Sequence, residues 1–203
     1  TAAFWWSCPV SRCSLTGGRG TCPPLPSGPL LVFASHRHPD HFDPRIFALD
    51  DGQRDVRFLL GKGIHLTDRN RKKWGLSEKA AADCRVLSGG ESASPLPGVT
   101  VEALPSTDEG VAFLVECGGK RIYHAGDLNN WVWSGEPEAD NLRMSENYRL
   151  ELEKMKGNHV DVAFVPLDPR QEGDFYRGME RVFMAHGGRG SWYSPCISGE
   201  TLR

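Results

Sequence analysis

Short apolar runs alternate with amphipathic stretches along most of the chain. Residues 29–35 (PLLVFAS) form an apolar run of strand length, which predicts a buried strand. Residues 56–60 repeat the pattern, closed by Gly61 and Gly63. Residues 99–104 (VTVEAL) alternate as a half-buried strand does. Residues 111–116 and 121–125 flank Cys117-Gly-Gly-Lys120, which predicts a β-hairpin. Residues 160–167 (VDVAFVPL) read as a further buried strand. Helical patterns lie between these runs. Asp43 suits an N-cap, with Pro44 at the first helical position and a helix over 46–49. Residues 74–82 predict a short helix. Over 142–156, Tyr148, Leu152 and Met155 recur at helical spacing, and Gly157-Asn158 follows as a stop. Residues 175–185 place Tyr176, Met179 and Phe183 on one predicted helix face. Strands and helices alternate, so the class is α/β or α+β.

The two ends lack such patterning. Residues 1–28 hold three of the six cysteines, no acid, and no sustained period of 3.6 or 2. Residues 187–203 are similar, and the tetrad GGRG occurs in both ends, at 17–20 and 187–190. Their richness in Gly, Pro, Arg, Cys, Trp and Ser is what GC-rich DNA yields when read out of frame. The expectation is an unpatterned segment at 1–28, a folded domain at 29–186 and an unpatterned tail at 187–203.

Composition narrows the function. Lys plus Arg is 24 and Asp plus Glu is 26, a net charge of −2, which argues against nucleic-acid binding carried by bulk charge. The basic run at 68–73 (DRNRKK) reads as a solvated loop. No apolar run approaches the roughly 20 residues of a membrane span. The six cysteines contain no C-x-x-C pair and read as reduced thiols, which points to a cytoplasmic protein.

The candidate chemistry sits directly after the first apolar strand. Three histidines and an aspartate fall within six residues: His36, His38, Asp40 and His41. In an extended segment, positions i and i+2 point the same way, with β-carbons roughly 6–7 Å apart at a rise of about 3.3 Å per residue. His36 and His38 can therefore close on one ion, while Asp40 and His41 face a second. Imidazole and carboxylate suit zinc, and also iron or manganese. A polar surface turn explains a single histidine, but accounts poorly for this cluster. Neither a G-x-S-x-G elbow nor a G-x-x-x-x-G-K phosphate loop is present.

The stretch SHRHPDH resembles the H-x-H-x-D-H motif of metallo-β-lactamase-fold hydrolases, in particular the small, stand-alone, lactonase-like branch. A second resemblance is residues 121–127 (RIYHAGD), a strand leading into a Gly-Asp turn. The resemblance implies an α+β fold, an αββα sandwich of two mixed sheets between helices. It implies one or two divalent ions, zinc foremost, with Asp127 in the role of the aspartate that bridges the two metals. The implied activity is hydrolysis of a small ester, lactone or phosphoester by a metal-bound hydroxide, with Asp40 both a ligand and the catalytic orienting group. The partner is then a small-molecule substrate, with no membrane and no nucleic acid.

The sequence departs from that pattern in two places. Where the family supplies another histidine, after residues 99–104, this chain reads Ser106-Thr107-Asp108-Glu109, so Asp108 or Glu109 can offer an oxygen instead. Only His186 remains for the family's last histidine, and it follows a predicted helix. The opening strands of the family are also missing from the reading of 1–28. The expectation is thus an incomplete version of the fold. The alternatives are a nuclease of the same fold and a non-catalytic metal-binding remnant. His124 reads as a packed strand residue, Asp168 as a turn or substrate-contacting residue, and Trp131 and Trp133 as walls of a pocket or of a loop base. His65 and His159 read as surface residues.

Overall fold

The computed structural model describes residues 28–156 and 159–185, together with the backbone of 4–7, 12–15 and 191–193. Its strands are β1 Phe4–Ser7, β2 Arg12–Leu15, β3 Leu30–Ala34, β4 Val56–Gly61, β5 Cys84–Leu87, β6 Ser92–Leu96, β7 Val99–Pro105, β8 Val111–Cys117, β9 Lys120–His124, β10 Val162–Phe164 and β11 Ser191–Tyr193. Its α-helices are α1 Asp68–Trp74, α2 Glu78–Ala82, α3 Glu138–Glu153 and α4 Arg177–Ala185. Two 3₁₀ turns, Pro44–Leu49 and Pro169–Asp174, each follow an aspartate that caps them.

The strands form two sheets, ordered β1-β2-β3-β4-β5 and β11-β10-β9-β8-β7-β6. Both are mixed. In the first, β1 is antiparallel to β2 and the remaining pairs are parallel. In the second, β9, β10 and β11 are parallel while β6 to β9 form an antiparallel meander.

Period-2 alternation stacks these layers. Leu31 and Phe33 of β3 face one way and meet Val111, Phe113 and Val115 of β8 in a core between the sheets. The Phe33 and Phe113 rings touch edge-on at 5.2 Å. Leu30, Val32 and Ala34 face the other way, onto Phe42, Ile46, Phe47 and Ala80. Ala112, Leu114, Tyr123 and Ala163 turn outward beneath Tyr148, Leu152 and Val182 of α3 and α4. Helices therefore cover both outer faces, and the expected αββα sandwich is the observed architecture.

Several local expectations change. Two strands lie inside the segment read as unpatterned, and β11 lies in the tail read the same way. Runs of three or four residues are too short to display a period; sheet pairing, a long-range effect, defines them. Strands β5 and β6 escaped the reading because half or more of their residues are not buried. The basic run at 68–73 is helical rather than a loop. Thr67 caps its start by accepting from Asn70 N–H, and Gly75 ends it in the left-handed region at φ 63°. That glycine splits the single helix expected over 74–82 into α1 and α2. Trp74 anchors α1 by packing on Phe42 and Phe47.

In α4 the residues facing the core are Gly178 and Val182, with Met179 against them, while Phe183, and Tyr176 just before the helix, are exposed. Gly157-Asn158 lies outside the described residues. Cys84 is a free thiol, but Cys117 is disulfide-bonded, which corrects the reading of all six cysteines as reduced. No helix among the described residues is long and apolar enough to cross a membrane.

Candidate metal centre

Strand β3 delivers Ser35 and His36 to the end of the first sheet, where three glycines close around them. A β-carbon on Gly61 or Gly110 would overlap the Ser35 carbonyl oxygen, and one on Gly126 would lie 2.8 Å from Ser35 Cβ. Gly110 and Gly126 also have positive φ, 80° and 55°. Val111 N–H donates to the Ser35 carbonyl at 3.2 Å, tying the loop after β7 to this point. The chain then turns: His41 and Phe42 N–H both donate to the His38 carbonyl, which brings His41 back beside His36. The two rings lie 4.2 Å apart.

Asp127 arrives from the second sheet through the turn after β9. Its Oδ2 lies 3.2 Å from His36 Nε2 and its Oδ1 lies 3.1 Å from His41 Nε2. One ligand atom from each of these three residues falls within 4.8 Å of the others. His38 Nδ1 sits 3.0 Å from His36 Nε2, and Asp40 Oδ2 sits 3.5 Å from His41 Nε2. The structure thus brings together His36, His38, Asp40, His41 and Asp127. His186 lies outside the described residues.

The donor set fits a divalent ion. Ser35 Oγ is 3.0 Å from His36 Nδ1 and 3.3 Å from His41 Nδ1. A hydroxyl has two lone pairs, so Ser35 can accept Nδ1–H from both rings. That leaves both Nε2 lone pairs free for a metal, the usual arrangement around ligating histidines. Without an ion, the same nitrogens face the Asp127 carboxylate. Burial pushes that carboxyl up, but hydrogen bonds from His36 and His41 outweigh it and hold it well below the usual carboxylate range.

The residues at the departure points have definite places. Glu109 accepts at 2.8 Å from His38 Nε2 and at 2.9 Å from Arg37 Nε. Asp108 is exposed and lines a cavity of about 350 Å³ with His38, Asp40 and Asp127. Trp131 and Trp133 line the same cavity, stacked in parallel. His124 is a packed strand residue, as expected. Its ring lies 6.0 Å from Phe164, its Nδ1 accepts from Gly126 N–H, and burial lowers its pKa to about 4. Asp168 is a buried turn residue that also grips Arg170, and Arg170 lines the cavity. His65 and His159 are exposed.

The sequence reading missed Ser35, Glu109's hold on His38, and Arg170. The first adjoins the histidine motif and was open to notice. The other two depend on contacts between separate loops.

Neither a family model nor a curated protein matches the sequence. Solved structures do match. The E377D mutant of CmlA β-hydroxylase has a TM-score of 0.62 at 12% identity, over 95% of this chain and 44% of that one. CmlA, a diiron β-hydroxylase from Streptomyces venezuelae, has a TM-score of 0.56 at 14% identity, over 91% and 41%. YhfI from Bacillus subtilis, a metallo-β-lactamase-fold protein, matches at a TM-score of 0.46 and 13% identity, over 82% and 62%. The chain shares its fold with the CmlA chains, and that fold is the αββα sandwich that the metallo-β-lactamase resemblance implied. It spans less than half the length of the CmlA chains it matches.

Proposed function

We propose that this metallo-β-lactamase-fold protein is a metal-dependent hydrolase of a small ester, lactone or phosphoester. The observation that carries the proposal is the convergence of His36 Nε2, His41 Nε2 and the Asp127 carboxylate from two sheets onto one point. His36, His38 and His41 would hold one or two divalent ions through imidazole nitrogen, and Asp40 and Asp127 through carboxylate oxygen. Zinc is the first choice, with manganese or iron accepted by the same donors. A bound ion supplies Lewis acidity: it lowers the pKa of water towards neutrality and polarises a carbonyl or phosphoryl oxygen.

The chain's own residues do the positioning. Ser35 fixes the ring orientation of His36 and His41. Asp40, exposed and lining the cavity, orients the attacking water and accepts its proton. The cavity, about 350 Å³, is at the small end of the roughly 300–1,000 Å³ typical of ligand sites, which supports a small substrate.

Elemental analysis of protein purified without added metal, paired with an ester, lactone and phosphodiester panel, tests this. One or two equivalents of metal and turnover abolished by His38→Ala are expected. Less than one tightly held ion with no turnover makes the protein a metal-binding remnant instead. The nuclease alternative requires nucleic-acid affinity that falls steeply with salt. His186→Ala, with metal content measured, decides whether that residue belongs to the ligand set.

One observation favours a second reading, iron-dependent oxidation. Glu109 adds a third carboxylate beside the imidazoles. A set that mixes imidazoles with carboxylates suits non-haem iron, and CmlA is described as a diiron β-hydroxylase. Iron content together with substrate-dependent oxygen consumption separates this reading from hydrolysis.

A further inference from the structure

We infer that the cavity beside the metal-ligand cluster is a recognition subsite for an organic monocarboxylate bearing a flat apolar group. The inference rests on the hydrolase reading only in taking the cavity as the substrate site.

The cavity wall is a ladder of three planar groups. The Trp131 and Trp133 rings are parallel to within 4°, with centroids 5.9 Å apart. The Arg170 guanidinium carbon lies 5.8 Å from the centre of the Trp133 ring. Each rung is held from behind. Trp131 Nε1–H donates to the Asp127 carbonyl at 2.8 Å. Asn141 donates to the Trp133 carbonyl and accepts from its N–H. The buried Gln171 donates to the Asn130 and Val132 carbonyls at 2.8 and 3.2 Å, pinning the backbone that carries both indoles. These contacts fix the wall before any ligand arrives, which lowers the entropic cost of binding.

Arg170 supplies the charge. Its Nε donates to the Asp168 carboxylate at 2.8 Å, and its Nη2 donates to the same group. Asp168 is 1% exposed, whereas the Arg170 side chain is 71% exposed. The inner edge of the guanidinium is therefore committed, while Nη1 and the outer Nη2 hydrogen remain for a second acceptor. Two such donors in one plane match a carboxylate. The indole faces suit a flat apolar group next to it. Asp108 lines the same cavity and disfavours a second negative charge there, which favours a monocarboxylate over a phosphate dianion.

Calorimetric titration of the zinc-loaded protein with phenylacetate, acetate, phenylacetamide and phenyl phosphate tests the inference. None of these needs to be hydrolysed. Phenylacetate is expected to bind at least about tenfold more tightly than each of the others. Arg170→Met should erase its advantage over phenylacetamide, and Trp133→Leu its advantage over acetate. Equal binding of phenylacetate and acetate by the unmodified protein overturns the inference, as does discrimination that survives Arg170→Met. Tighter binding of phenyl phosphate overturns the carboxylate assignment. Should Arg170→Met fail to fold, Arg170→Lys keeps the charge and loses the fork. An undiminished preference in that variant also counts against the inference. A protein that binds phenylacetate but hydrolyses nothing refutes the reaction alone. One that hydrolyses but shows no preference refutes the ligand class alone.

Discussion

The indole N–H of Trp131 donates to the main-chain carbonyl of Asp127 at 2.8 Å. This bond joins the cavity wall to the aspartate that faces the imidazoles of His36 and His41. Trp131→Phe keeps most of the apolar contact and removes the donor. A buried carbonyl left without its partner costs about 1–3 kcal/mol. The variant should unfold at lower urea concentration than the parent, and its metal should be released at lower chelator concentration. Metal retention equal to the parent, despite the stability loss, would separate the wall from the ligand cluster.

That relationship also shows where sequence reading stops. The histidine cluster was legible because its members lie within six residues and follow an apolar strand. Asp127 was reached through its Gly-Asp turn and the family resemblance. The two-sheet core was legible in β3 and β8 as continuous apolar runs and in β7 as alternation, over five to seven residues. Strands β1, β2 and β11 were not, because runs of three or four residues without a sustained apolar pattern are defined by their pairing partners, and β5 and β6 were not, because half or more of their residues are not buried. Helix α1 was hidden by its charge. The run DRNRKK has no buried residue, and only the caps at Thr67 and Gly75, with Trp74 as anchor, reveal it. Arg170 carries no sequence signal, since its role depends on Asp168 turning it toward an indole 37 positions earlier.

Cys84 offers a check on the packing beneath the first sheet. Its Sγ–H donates to the Ala80 carbonyl at 3.1 Å, and burial pushes the thiol up to about 12. Because the thiolate is the nucleophile, alkylation at pH 8 should be on the order of a thousandfold slower than for an ordinary thiol near 8.5. Peptide mapping after iodoacetamide should find Cys84 unmodified in the native protein and fully modified in guanidinium chloride. Rapid native labelling would mean that α2 opens readily from the sheet.

Asp168 gives a pH dependence whose sign is fixed. Burial pushes its carboxyl up, but hydrogen bonds from the Arg170 side chain and backbone outweigh this and hold it below the ordinary value. A carboxyl depressed in the folded state contributes stability that is present above its unfolded pKa of about 3.9 and is lost as pH falls through the folded value. Asp168→Asn should therefore be less stable than the parent at pH 7, and the gap should close below about pH 4. Urea unfolding at several pH values measures it. Asparagine can still cap the 3₁₀ turn, so a gap independent of pH would assign the effect to altered packing rather than to the carboxylate charge.

Gly110 places a steric demand directly against the metal cluster. A β-carbon there would overlap the Ser35 carbonyl oxygen and lie 2.5 Å from His36 Cβ. Its φ of 80° adds backbone strain for any L side chain. Gly52 is the natural control: its φ is 75°, and nothing lies within 4 Å of an added β-carbon. Gly52→Ala should then cost only the conformational term, about 1–2 kcal/mol. Gly110→Ala must also displace Ser35 or His36, a buried overpacking that typically costs about 1–3 kcal/mol more. Displacement moves the hydroxyl that sets the His36 and His41 ring orientations, so metal affinity should fall as well. Gly52→Ala should leave metal affinity unchanged. Urea unfolding of the metal-free proteins measures the first effect, and competition with a chelator measures the second. Equal metal affinity in the two variants would show that Ser35 does not orient the imidazoles.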